Sequence, residues 1–198
     1  MNYSIYAEST PNPGVMKFVA NRMLVDKSIE ITKAEHAQDI SVAKALFNFP
    51  FVKSLYLSSN FISIAKTDNV EWDMIAMQLR NFITDFLNEE GLKNYTEHIT
   101  EEEIIKEEVK EKEAGEEKIS FTEKEEAIID LLNEYIKPAV ESDGGAITFH
   151  SYVGDVVTVN LKGACSGCPS STSTLKGGIE SLLNQKVDPN IVVRANEQ

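Results

Sequence analysis

From Tyr95 to Lys118 the chain reads YTEHITEEEIIKEEVKEKEAGEEK, a stretch so dominated by Glu and Lys that its sparse apolar residues cannot close a core. Apolar periodicity returns on both sides of it, so the chain is expected to fold as two separate small units rather than one large one. We assign residues 1–93 to an N-terminal domain, 94–118 to a charged linker and 119–198 to a C-terminal domain. A flexible tether of ~24 residues spans about 25–30 Å and would let the domains move almost independently. The rival reading is a solvated single helix, because some of the Glu and Lys sit at i,i+4 spacing.

Composition is needed only to exclude classes. With 198 residues and 42% apolar content, two packed cores are affordable. No apolar run approaches the ~20 residues of a membrane-spanning helix. The N-terminus lacks the basic-then-apolar pattern of a secretory signal, so a soluble, cytoplasmic chain with no membrane partner is expected. A net charge of −13, from 32 acidic and 19 basic residues, argues against nucleic acid, whose binders neutralise phosphates with Lys and Arg.

Both domains read as α+β. In the first, Ser4–Ala7, Val15–Val19, Val52–Leu57 and Phe61–Ala65 have the branched and aromatic content of strands, with turns at Thr10–Gly14 and Ser58–Asn60. A short helix near Val42–Phe47 has Ser41 as its candidate cap. A longer one from Glu71 to Asn88 carries the stripe Trp72, Ile75, Leu79, Phe82, Ile83 and Phe86 behind a candidate Asp68 cap. The second domain has the order helix, hairpin, helix, strand. Thr122 and Glu125 form a capping-box signature ahead of the face Ile128, Leu131, Leu132, Tyr135 and Ile136, and Pro138 is expected to bend or end that helix. Asp143-Gly144-Gly145 turns into a strand with Ile147, Phe149, Ser151 and Val153 on one face, and Gly154-Asp155 closes the hairpin. Leu175, Ile179, Leu182 and Leu183 line the next helix, and Ile191–Val193 is the last strand.

The two cysteines, Cys165 and Cys168, form a single Cys-x-x-Cys, a spacing that in a reducing compartment points to metal or redox chemistry rather than a disulfide framework. Pro169 suits the first turn of a helix, which puts Cys168 at the cap, where unpaired N–H groups and the helix dipole favour thiolate. Gly167 permits the sharp turn that lets both sulfurs face one side, and Gly163 eases the approach. Ser170, Ser171 and Thr172 either donate to thiolate and sulfide or cap the helix. The loop is expected to be exposed.

An iron-sulfur cluster of the 2Fe-2S or 4Fe-4S type held by protein thiolates takes four of them, and one chain supplies two. A two-fold homodimer sharing one cluster through Cys165 and Cys168 of each chain completes the count, and its assembly would depend on the cluster. Such an exposed site suits a carrier that hands its cluster on, not an enzyme. Two alternatives stay open: a dithiol/disulfide oxidoreductase, and an interaction protein bridged by zinc through the same thiolates. His36, His98 and His150 lie at no ligand spacing to the cysteines, and Trp72 reads as core.

The run GACSGCPSSTSTLKGGIESLL, preceded by PAVESDGGAITF, resembles the C-terminal domain of the Nfu (NifU-like) family of iron-sulfur cluster carriers over roughly Glu123 to Arg194. YAESTPNPGVMKF, AKALFNFPFVKSLYLSSNFISIAK and the Trp72 helix resemble the family's N-terminal domain. The resemblance implies that Cys165 and Cys168 ligate a cluster, commonly 4Fe-4S, bridged between subunits, received from an upstream assembly scaffold and passed to apo iron-sulfur proteins. Ala146 departs from the pattern, where an acidic residue is expected. No segment resembles a three-cysteine scaffold domain, which favours carriage over building. No presequence of the organellar kind is visible, which leads to the expectation of a bacterial cytoplasmic member.

Overall fold

The computed structural model describes residues 2–37, 40–91, 121–166 and 169–196, the charged stretch lying outside them. Two α+β units result, each with its own hydrophobic cluster. In the N-terminal unit β1 (Ile5–Ser9), β2 (Val15–Ala20), β3 (Ile29–Ile31), β4 (Val52–Ser58) and β5 (Phe61–Lys66) form an antiparallel sheet in the order β1-β2-β5-β4-β3. Helices α1 (Ser41–Leu46) and α2 (Trp72–Glu89) join its core, where Phe18, Leu57, Ile62, Ile64, Leu79 and Ile83 are fully buried. The α2 face is the one the 3.6-residue period indicates, with Ile75, Leu79, Ile83 and Leu87 buried.

Several local expectations change. Neither Ser41 nor Asp68 caps a helix: the cap positions are Ile40 and Glu71, both extended and without a side-chain hydrogen bond. Ser41 begins α1, and its Oγ is buried with no hydrogen-bond partner among the described residues. The strand β3 and the 3-10 turn Ala34–Ala37 carry too little periodicity to be read in advance.

The C-terminal unit opens with α3 (Glu123–Leu131), where Thr122 accepts from the Glu125 N–H and Glu125 reaches back to the Thr122 N–H, the expected capping box. Pro138 does not end the helical run. A π-type turn over Leu132–Ile136 leads into α4 (Lys137–Ser142), which contains it. The wider turn moves the carbonyl that a proline ring would strike in an α-helix. It also rotates the apolar face: Leu132 is buried, but Tyr135 is 52% exposed. Strands β6 (Gly145–Val153) and β7 (Val156–Gly163) form the hairpin, and β8 (Val192–Ala195) pairs parallel to β7 after helix α5 (Pro169–Lys186). A bulge between Phe149 and Ser151 breaks the alternation, so Val153 lies 73% exposed instead of sharing the face of Ile147. Among the described residues no helix is long and apolar enough to cross a membrane.

Candidate metal centre at the cysteine turn

Cys165 sits on the turn between β7 and α5, and local chemistry explains the turn. Gly163 ends β7 with φ +62°, a left-handed conformation costly for residues with a Cβ, and the Ser166 N–H bonds back to the Gly163 carbonyl at 3.1 Å. The Ala164 N–H donates to the Gly144 carbonyl at 3.1 Å, tying the turn to the end of α4. Gly145 pairs with Gly163 across the hairpin, and a Cβ at Gly145 would lie 2.7 Å from Cys165 Sγ. The absent side chain therefore makes room for the sulfur. The expected turn at Asp143-Gly144-Gly145 stands, with Gly144 at φ +82° directly after α4, but Gly145 has this second role, which sequence reasoning missed.

Cys165 is a free thiol, only 8% exposed and part of the C-terminal core. This corrects the expectation of exposure for Cys165 itself, while its neighbour Ser166 is exposed. Burial, and secondarily the negative charge of Asp143, push its thiol up to about 11. At neutral pH the group is a thiol, whereas metal ligation needs the thiolate. Cys168 and Gly167, with the side chains of Ser170, Ser171 and Thr172, lie outside the described residues, as do His98 and the expectations attached to them. His36 and His150 are exposed, His36 lying 3.8 Å from Glu35. Lys176 pairs with Glu180 one turn along α5.

The N-terminal unit reaches this turn, against the expectation of nearly independent domains. Asn12 Nδ2 donates to the carbonyls of Ala164 at 3.0 Å and Ser166 at 3.3 Å, the residues flanking Cys165. The Thr10–Gly14 turn presents it ready-made: Asn12 Oδ1 accepts from the Gly14 N–H, Thr10 Oγ1 bonds the carbonyls of Asn12 and Val15, and Trp72 Nε1 donates to the Pro13 carbonyl at 2.9 Å. Trp72, read as core, is half-buried and anchors this turn. The Gly163 N–H donates to Glu30 Oε1 at 3.1 Å, and a Cβ at Gly163 would lie 2.7 Å from Tyr56 Cδ1. Asn12 sits in a motif visible in the sequence; nothing there indicated its long-range partner.

Both units of the chain are similar in sequence to known proteins. Residues 5–90 match the family model described as the scaffold protein Nfu/NifU N-terminal domain, and residues 128–194 match the NifU-like domain. The chain is 33% identical over 187 residues to a Drosophila grimshawi protein named a mitochondrial NFU1 iron-sulfur cluster scaffold homolog, covering 90% of this chain and 57% of that protein. A Drosophila willistoni protein of the same name is 33% identical over 183 residues, with 90% and 58% covered. The chain thus spans under two thirds of these relatives' length. A solution structure of a NifU-like protein from Saccharomyces cerevisiae aligns with TM-score 0.40 and 28% identity over 43% of this chain and 79% of that one. The expectation of a cytoplasmic protein is corrected here, because these relatives are named mitochondrial.

Proposed function

We propose that this chain, which belongs to the Nfu (NifU-like) family, carries an iron-sulfur cluster as cargo and passes it to apo iron-sulfur proteins, with Cys165 and Cys168 as the ligands. The observation that carries the reading is the position of Cys165: a free thiol on a glycine-shaped turn ahead of α5, inside the NifU-like match. Two sulfurs per chain are half of what a thiolate-held cluster takes, so the cargo, 4Fe-4S by family resemblance, bridges two copies of the chain. The cluster arrives from an upstream scaffold. Carriage makes the protein a handler of cofactors rather than an enzyme.

The chain's own part is to present and withdraw sulfur. Cys165 starts protonated and turned into the core, so ligation requires it to lose its proton and leave its seat against Gly145. A ligand that returns to such a seat favours giving the cargo up. The test is the iron, sulfide and zinc content of anaerobically reconstituted protein beside Cys165→Ser and Cys168→Ser. Each substitution is expected to remove nearly all bound iron and sulfide. Unchanged iron in either variant refutes that ligand, and zinc in place of iron in the parent refutes the cargo.

A further inference from the structure

Antiparallel sheets packed on one side usually show water the other, and the N-terminal sheet has a polar face of that kind. Alternating with the core residues Phe18, Leu55, Leu57, Ile62 and Ile64 are Lys17, Tyr56 and Ser63. Yet Lys17 is 9% exposed and Ser63 2%. Their cover is the C-terminal unit. Lys17 Nζ donates to the carbonyls of Ser142 at 2.8 Å and Glu141 at 3.3 Å, the end of α4, where a cation is favoured. Ser63 Oγ donates to the Gly144 carbonyl at 2.6 Å. A Cβ on Gly144 would lie 2.7 Å from Ser63 Oγ, so glycine there permits the close approach.

These contacts join side chains of one unit to backbone groups of the other, and every such group can bond water when the units part, so parting leaves none of them unsatisfied. Asn12 is where docking meets chemistry. Its single amide holds the carbonyls on both sides of Cys165 while the sulfur faces inward on Gly145. In that arrangement Cys165 is 8% exposed and its sulfur lies against its own chain.

We propose that the polar face of the N-terminal sheet, led by Asn12 and Lys17, is a docking surface for the chain's own cysteine turn, holding it closed until cargo loading releases it. The release half rests on the carrier reading; the docking half does not. Cargo that binds only the released form has its apparent affinity reduced by the fraction of chains released, and binding in turn depletes the docked form.

Asn12→Asp tests this cleanly, keeping the oxygen that accepts from Gly14 but turning the donor into an oxygen that faces two carbonyls. Lys17→Glu sets a carboxylate against the carbonyls of Glu141 and Ser142 and leaves the core side of β2 untouched. In the full-length, reduced, metal-free chain, site-resolved mass spectrometry follows iodoacetamide alkylation of Cys165 and acylation of Lys17. Asn12→Asp is expected to raise both rates about tenfold or more, and Lys17→Glu the Cys165 rate similarly. Parent-like rates in both variants overturn the docking surface. Loading the parent with equal amounts of ferrous and ferric iron together with sulfide should raise Lys17 acylation toward the Asn12→Asp level. Iron uptake with Lys17 still protected overturns release, whereas fast labelling of the variants with no iron uptake by the parent overturns the carrier reading and leaves docking standing.

Discussion

Among the described residues the N-terminal unit gathers twenty buried residues into its core, while the C-terminal unit gathers eleven, and one of those is Cys165. The larger core is built from aliphatic and aromatic side chains with no chemistry to perform. In the smaller one, glycine at 145 leaves room for the sulfur, while glycines at 144 and 163 allow close approach of Ser63 and Tyr56 from the other unit. A small core has less burial to offset chain entropy, and removing one contributor costs it proportionally more. The candidate ligand Cys165 is therefore housed in the unit with less to spare, and the unit with more to spare lies against it.

The strongest test of that contrast is a matched pair of truncations. Leu79→Ala and Ile179→Ala should each cost about 2–5 kcal/mol. In urea, fluorescence of the single Trp72 reports the N-terminal unit, and circular dichroism reports both. Ile179→Ala is expected to leave the C-terminal unit unfolded or nearly so, while Leu79→Ala leaves a weakened but folded N-terminal unit. Equal fractional losses in the two units would break the comparison.

A smaller effect, confined to one unit, is expected of Gly145→Ala. Its Cβ would meet Cys165 Sγ at 2.7 Å and the Lys162 carbonyl at 2.8 Å, so backbone must shift, at about 1–3 kcal/mol. The loss should appear in the circular dichroism transition and not in that of Trp72. A shift seen by Trp72 instead would mean that the cysteine turn supports the N-terminal fold.

The smallest effect is a pH dependence. Cys165 is held at about 11 against an ordinary 9.0, so the folded chain keeps this proton more tightly than the unfolded one. The stabilisation is complete below pH 9.0, declines above it and is lost as pH rises through about 11. The urea midpoint of the C-terminal unit should fall across that window more steeply in the parent than in Cys165→Ser. Parallel slopes would show that burial of the thiol contributes nothing to the difference between the units.

Much of the local structure was legible, because its causes are local. The α2 stripe, the Thr122–Glu125 capping box, the Gly154-Asp155 hairpin and the glycine-ended α4 follow from side-chain spacing and from residues that tolerate positive φ. Where expectation failed, a neighbour had overruled local preference: the π-type turn that accommodates Pro138 displaced Tyr135, and the bulge after Phe149 turned Val153 outward. The spacing of the two cysteines singles them out as candidates, but it does not reveal the burial of Cys165. A turn rich in glycine reads as exposed until another strand is known to lie across it.

The two α+β units, the charged stretch between them and the Cys-x-x-Cys ahead of a helix are all written in the order and spacing of neighbouring residues. Folding in three dimensions is what turns the sulfur of Cys165 inward on Gly145 and lays Asn12 and Lys17 over the end of α4 and the turn. Those contacts join residues more than a hundred positions apart. Their cause is the shape of two folded surfaces, which spacing along a chain does not encode.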